Sequence, residues 1–234
     1  MTLTSKLPAV LAAITLCLTA SNATAQEEGG YVYNQGEDRF VDNVYNFVRH
    51  FNYDQYYWCE SFMFNTSNTY YVDAMDFAYY SGHGNNWYLG MGPGASSSGV
   101  SIGSATKWGN TDLEFIVFQS CKVVPSPIDR SDWYQRWVGS NDVFQGLHHA
   151  IGYRTNSYSG NGISDNYGGR VRNNQRVRQA WFAAVNDERS WWTSSSYPGY
   201  ASGVYHASCS NDRYYSFVAD PPAGHGSLSI TYQH

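Results

Sequence analysis

Charge is scarce in this sequence. Asp, Glu, Lys and Arg together make up 14% of its 234 residues, with a net charge of −5. A weakly acidic chain lacks the basic surface on which non-specific nucleic-acid binding rests, so no nucleic-acid partner is expected. Its one basic stretch, Arg170, Arg172, Arg176 and Arg178, reads as the solvated face of a helix. Past residue 20 no apolar run is long enough to span a bilayer. There is no G-x-S-x-G nucleophile elbow and no phosphate-binding P-loop. His83, His148, His149 and His225 have no carboxylate or second histidine four residues on, a poor basis for zinc. No metal and no other cofactor is expected.

What is present begins with a leader. Lys6 stands in a short polar opening, an apolar run extends from Leu7 to Ala20, and Ala23-Thr24-Ala25 supplies an A-x-A pattern. These features predict a signal peptide over residues 1–25, cut before Gln26, and a secreted chain with no membrane attachment after cleavage; a retained anchor is the alternative. Cys17 would leave with the leader, so Cys59, Cys121 and Cys209 would remain. An odd count in an oxidising compartment points to one bridge and one free thiol, with three pairings open.

The remaining 26–234 has no internal repeat or low-complexity linker, and its length suits one domain. Phe40, Val44, Phe47, Val48 and Phe51 recur at helical spacing, with acids in the first turn. Residues 56–64 and 75–81 read as aromatic strands, and 85–110 as a long Gly/Ser loop. Residues 113–121, "LEFIVFQSC", are continuously apolar, as in a parallel strand buried on both faces. Helices are predicted at 131–138 and 173–188, and strands at 148–155, 202–208, 213–219 and 227–233. Strands alternating with helices predict an α/β protein, a three-layer α/β/α sandwich on a mostly parallel sheet, with extra β structure near the C-terminus.

Two of these strands end in reactive side chains. "DFAYYSGHG" runs out at Ser81-Gly82-His83-Gly84, and "LEFIVFQSC" at Gln119-Ser120-Cys121. In open α/β sheets ligands bind beyond the carboxyl ends of the strands. A thiol and an imidazole sharing such a site make a nucleophile and its base. Singly, each has a plainer explanation: a His-Gly turn, and a small buried hydrophobe.

The ordered pair resembles the caspase-like clan of cysteine peptidases, which includes caspases, metacaspases, legumains, gingipains and clostripain-like enzymes. Their shared mark is an apolar strand ending in His-Gly and a later one ending in Ala-Cys or similar. Here Ser120 replaces the alanine and Lys122-Val123 replace the residues that end in glycine. The likeness covers about residues 75–188, and the chain also resembles uncharacterised secreted proteins with SGHG and GLH motifs. It implies a caspase-like domain that hydrolyses peptide bonds, with a peptide or protein as substrate. Cys121 would be the nucleophile and His83 the acid–base, and the backbone N–H groups of Gly84 and Cys121 would face the oxyanion. With Cys121 needed as a thiolate, the expected bridge is Cys59–Cys209.

The other reading is a non-catalytic module for glycan or protein. It rests on the aromatic load, in which Trp87, Tyr88, Trp108, Trp133, Trp137, Trp191 and Trp192 could include a stacking platform. Helical spacing instead assigns Trp133, Trp137 and Trp181 to the core.

Overall fold

The computed structural model describes residues 26–234 except 53, 104, 139–141 and 224–226, without the side chains of 54, 161 and 190–192. The expected leader, the Gly224-His225-Gly226 turn and the indoles of Trp191 and Trp192 lie outside the described residues. In chain order the elements are β1 (Glu28–Val32), α1 (Asp38–Val48), β2 (Asp54–Trp58), β3 (Phe77–Ser81), β4 (Gly84–Asn85), β5 (Tyr88–Gly90) and β6 (Gly99–Ser101). There follow β7 (Phe115–Gln119), α2 (Trp133–Trp137), β8 (His149–Tyr153), α3 (Asn161–Arg172), α4 (Val177–Trp192), β9 (Ala201–His206) and β10 (Leu228–Tyr232).

The main sheet has seven strands in the order β10-β9-β8-β7-β3-β1-β2. From β8 to β2 every pairing is parallel, while β9 and β10 add an antiparallel border. The fold is therefore an α/β sandwich with a mostly parallel sheet and extra β structure at its C-terminal end. β1, β3, β7 and β8 are buried along their whole length, which is why they carry apolar residues on both faces.

One face is covered by α1, α3 and α4. Val44, Phe47, Tyr167 and Trp181 meet Phe77, Tyr79, Phe115 and Val117 there. Phe47 stacks on Tyr79 with ring centroids 4.3 Å apart, and the Trp181 indole N–H donates to the Gly152 carbonyl at 2.9 Å. The other face packs Tyr31, Tyr80, Ile116 and Phe118 against Phe64, Leu89, Trp108 and Trp137. That outer layer is built mainly from short 3-10 turns, the five-residue α2 and a small antiparallel sheet of β4, β5 and β6. The small sheet, from Gly84 to Ser101, takes up most of the predicted 85–110 loop. Residues 213–219, expected as a strand, form only isolated bridges, Arg213 with Arg176 and with Ser216. Among the described residues no helix is long and apolar enough to cross a membrane.

The expected Cys59–Cys209 bridge is corrected by this topology. All three described cysteines are free, and Cys59 and Cys209 are both buried. Cys59 follows β2 at one border and Cys209 follows β9 near the other, five strand spacings away. That is roughly 24 Å, whereas a disulfide needs Cα atoms about 4.4–6.8 Å apart. Burial pushes the Cys59 thiol well above its ordinary value, while the Cys209 sulfur lies 3.6 Å from the Ser208 hydroxyl.

Candidate active site

The chain runs outward from β1 in both directions, β2 on one side and β3 and β7 on the other. A reversal of this kind opens a crevice at the carboxyl ends of the strands. A cavity of about 480 Å³ lies there. Its walls come from the start of α1 (Arg39, Phe40), residues 82–84 after β3, Gln119–Cys121 at the end of β7, Tyr153 at the end of β8 and residues 156–159 beyond it, with Tyr197 closing one side.

His83 and Cys121 both open into this cavity. β3 and β7 are neighbouring parallel strands, and Ser81 is the register partner of Gln119. Each reactive residue stands two positions past its strand's last paired residue, so one sheet register delivers both to the same height.

His83 is held from three directions. Tyr33 and Phe40 present ring edges at 5.1 Å each, and the Tyr80 hydroxyl and the Gly90 N–H donate to its carbonyl at 2.8 and 2.9 Å. Its Nε2 lies 3.1 Å from Glu37 Oε1. The carboxylate can only accept, so Nε2 is the donor of this contact. Glu37 is the N-cap residue of α1, yet its side chain makes no capping bond. Its other oxygen pairs with Arg39 Nη2 at 2.6 Å. In the sequence this acid looked like an ordinary first-turn residue, and only the adjacency of β1 and β3 brings it to His83.

Cys121 is half-buried, and its sulfur lies 3.4 Å from both the N–H and the carbonyl of Ser157. Among the described residues no hydrogen bond joins it to His83. Cys121 stands in the turn after β7, and its N–H has no acceptor among the described residues. Gly84 is also oriented outward. Gly90 N–H donates to the His83 carbonyl, which makes Gly84 and Leu89 a non-hydrogen-bonded pair, so the Gly84 N–H points away from β5.

Close approach of a substrate backbone would be one reason for glycine at 84. The closer neighbours are protein atoms. A Cβ there would sit 2.3 Å from Ser120 Oγ and 2.7 Å from Val123 Cγ2. Gly84 thus lets the turn after β3 nest against the turn after β7. Lys122, at φ 57°, is directed instead to an adjoining depression shared with Asp129 and Arg154.

Two buried amides brace the cavity, and neither was singled out from the sequence. Asn43 Nδ2 on α1 donates to Ser81 Oγ at 3.1 Å and also bonds Ser159 Oγ. Gln119 accepts from the Tyr79 hydroxyl at 2.6 Å and donates to the Gly160 carbonyl at 3.1 Å. Burial pushes the Tyr153 phenol above its ordinary value, so that wall stays neutral. Of the candidate stacking residues, Trp87, Trp108 and Trp137 are buried and present no platform.

Groups that could hold a metal lie elsewhere. His148, Cys209 and Asp212 form one such set and Asp76, Asp112 and Glu114 another. Asp76, Glu114 and His148 lie just before β3, β7 and β8, at the opposite ends of the strands from the cavity.

Compared with known proteins, residues 19–229 match one family model, described as a domain of unknown function, DUF6345. The chain belongs to the DUF6345 family. The family match takes in every element from β1 to β9, and so the whole cavity. No curated protein matches this DUF6345 chain.

Proposed function

We propose that this DUF6345 domain is a secreted cysteine peptidase of caspase-like architecture. The observation that carries the reading is the common register: His83 and Cys121 stand equally far past paired residues of adjacent parallel strands and open into one cavity. Catalysis starts when the Cys121 sulfur leaves Ser157 and gives its proton to His83 Nδ1. The thiolate attacks the peptide carbonyl carbon, and the oxygen takes the negative charge. The N–H groups of Gly84 and Cys121 are the donors for that oxyanion, a device worth several kcal/mol of barrier. Collapse breaks the C–N bond, His83 returns its proton to the leaving amine, and a thioester remains on Cys121. Water, deprotonated by His83, then hydrolyses the thioester and regenerates the thiol. Glu37 touches no reacting atom; it holds the imidazole with Nδ1 toward the cavity.

The competing reading is a binding module that keeps the pocket without the chemistry, and the thiol resting on Ser157 instead of His83 favours it. A mixed peptide library incubated with wild type and Cys121→Ala in parallel separates the two. Cleavage by wild type alone supports the peptidase. Equal cleavage, or none, together with a thiol inert to iodoacetamide, would leave the binding module.

A further inference from the structure

The opposite edge of the sheet carries a cluster that peptide hydrolysis does not use. Asp76 precedes β3, and Asp112 and Glu114 precede β7, its neighbour. One carboxylate oxygen from each lies within 4.8 Å of the other two. Asp76 and Glu114 are buried and Asp112 is exposed. The Asp76 carbonyl accepts the N–H groups of both Glu114 and Phe115, at 3.2 and 3.1 Å, which fixes the two segments against each other. Asp76 Oδ2 accepts the Glu27 N–H at 2.7 Å.

Glu114 is the anomaly. The residue is 5% exposed, and its Oε2 is sealed from solvent with no hydrogen-bond partner. Among the described residues no lysine or arginine pairs with any of the three acids. The nearest imidazole, His148, is already claimed by Asp212 at 2.7 Å and Asp220 at 3.5 Å. A buried carboxylate oxygen without a donor, whose nearest cation is shared with two other acids, is costly. Two species relieve it, a proton or a cation.

We propose that Asp76, Asp112 and Glu114 bind a divalent cation of the calcium class. Three carboxylates make a hard, all-oxygen donor set, the chemistry that Ca²⁺ takes. Oxygens bonded to one Ca²⁺ at about 2.3–2.6 Å lie up to about 5 Å apart, the spread that this cluster spans. Exposed Asp112 provides the entry, and water completes the coordination on that side. The bound ion would tie the start of β3 to the start of β7, the two strands that carry His83 and Cys121 at their other ends. The neighbouring His148, Cys209 and Asp212 are a poorer candidate, because both nitrogens of that imidazole already face carboxylates.

The test is thermal unfolding of the EDTA-stripped protein with CaCl₂, with MgCl₂ or with neither. Ca²⁺ should raise Tm by roughly 5–10 °C at a hundredfold excess over Kd. Glu114→Gln, which keeps shape and drops charge, should abolish the shift. Asp112→Asn, at an exposed position that folding tolerates, should weaken apparent Ca²⁺ affinity by about tenfold or more. No shift in wild type up to about 10 mM Ca²⁺, above the weakest extracellular-module affinities, would overturn the site. A shift of equal size in Asp112→Asn would do the same, because the ion would then bind elsewhere. An equal response to Mg²⁺ would overturn the calcium assignment. None of these readouts involves Cys121, so the site and the peptidase reading can fail separately.

Discussion

The two ends of the same parallel strands handle polar groups in opposite ways. At the carboxyl ends, His83 is half-exposed, Cys121 is half-buried, and both line an open cavity. At the amino ends, Glu114, His148 and His149 are buried, and each is pushed far from its ordinary protonation. Burial raises Glu114 to about 9. Burial alone would lower His148, but its bonds to Asp212 and Asp220 carry it to about 11. Burial takes His149 down to about 3. Strongly shifted titration is a common pointer to active sites. Here it marks the edge that the strands' topology does not favour for catalysis; burial accounts for Glu114 and His149, and pairing with two carboxylates for His148.

The largest effect that would sharpen this contrast is on turnover. Cys121→Ala should abolish peptide cleavage, a loss of about a thousandfold or more, and His83→Ala should cost nearly as much because the pair acts as a unit. Both proteins should keep the wild-type circular dichroism spectrum; loss of fold in either would assign the residue to structure. Glu37→Ala comes next. Removing the carboxylate that orients His83 should lower kcat by roughly ten- to a hundredfold, with KM and Tm nearly unchanged. Unchanged kcat would leave Glu37 as no more than Arg39's ion-pair partner.

Smaller effects are read as stability. Gly84→Ala forces a Cβ onto Ser120 Oγ and should cost about 1–3 kcal/mol in urea unfolding. Adding Ser120→Gly should recover part of that loss, and no recovery would show that the strain lies elsewhere. A change spread over pH belongs to the amino-terminal edge. Unfolded chain takes up a proton at His149 from about pH 6.5, whereas the folded chain refuses it until about 3. Over that window the unfolded state binds more protons, so stability falls with acid by about 1.4 kcal/mol per pH unit from this group. His149→Gln should flatten the slope between pH 6 and 4; an unchanged slope would move the acid sensitivity to other groups.

Apolar continuity and helical period were enough to locate β3, β7 and β8, α1 and most of α4, because such patterns follow from local burial. The same strands carried His83 and Cys121 at their ends, so the candidate pair was readable without coordinates. Glycine hid two elements. β1, with Gly29 and Gly30 at its centre, gave no strand pattern, yet a Cβ on Gly30 would sit 2.3 Å from Val44 of α1. α3 is broken in appearance by Gly168, where a Cβ would sit 2.5 Å from the His50 ring. In both places the residue answers to a partner distant in sequence, and local propensity is overridden. Strand order was equally out of reach. It places β1 beside β3, which brings Glu37 to His83, and it sets β2 and β9 five spacings apart, which separates Cys59 from Cys209. Periodicity reports which face of an element is buried; which elements share that burial is settled only when the whole sheet assembles.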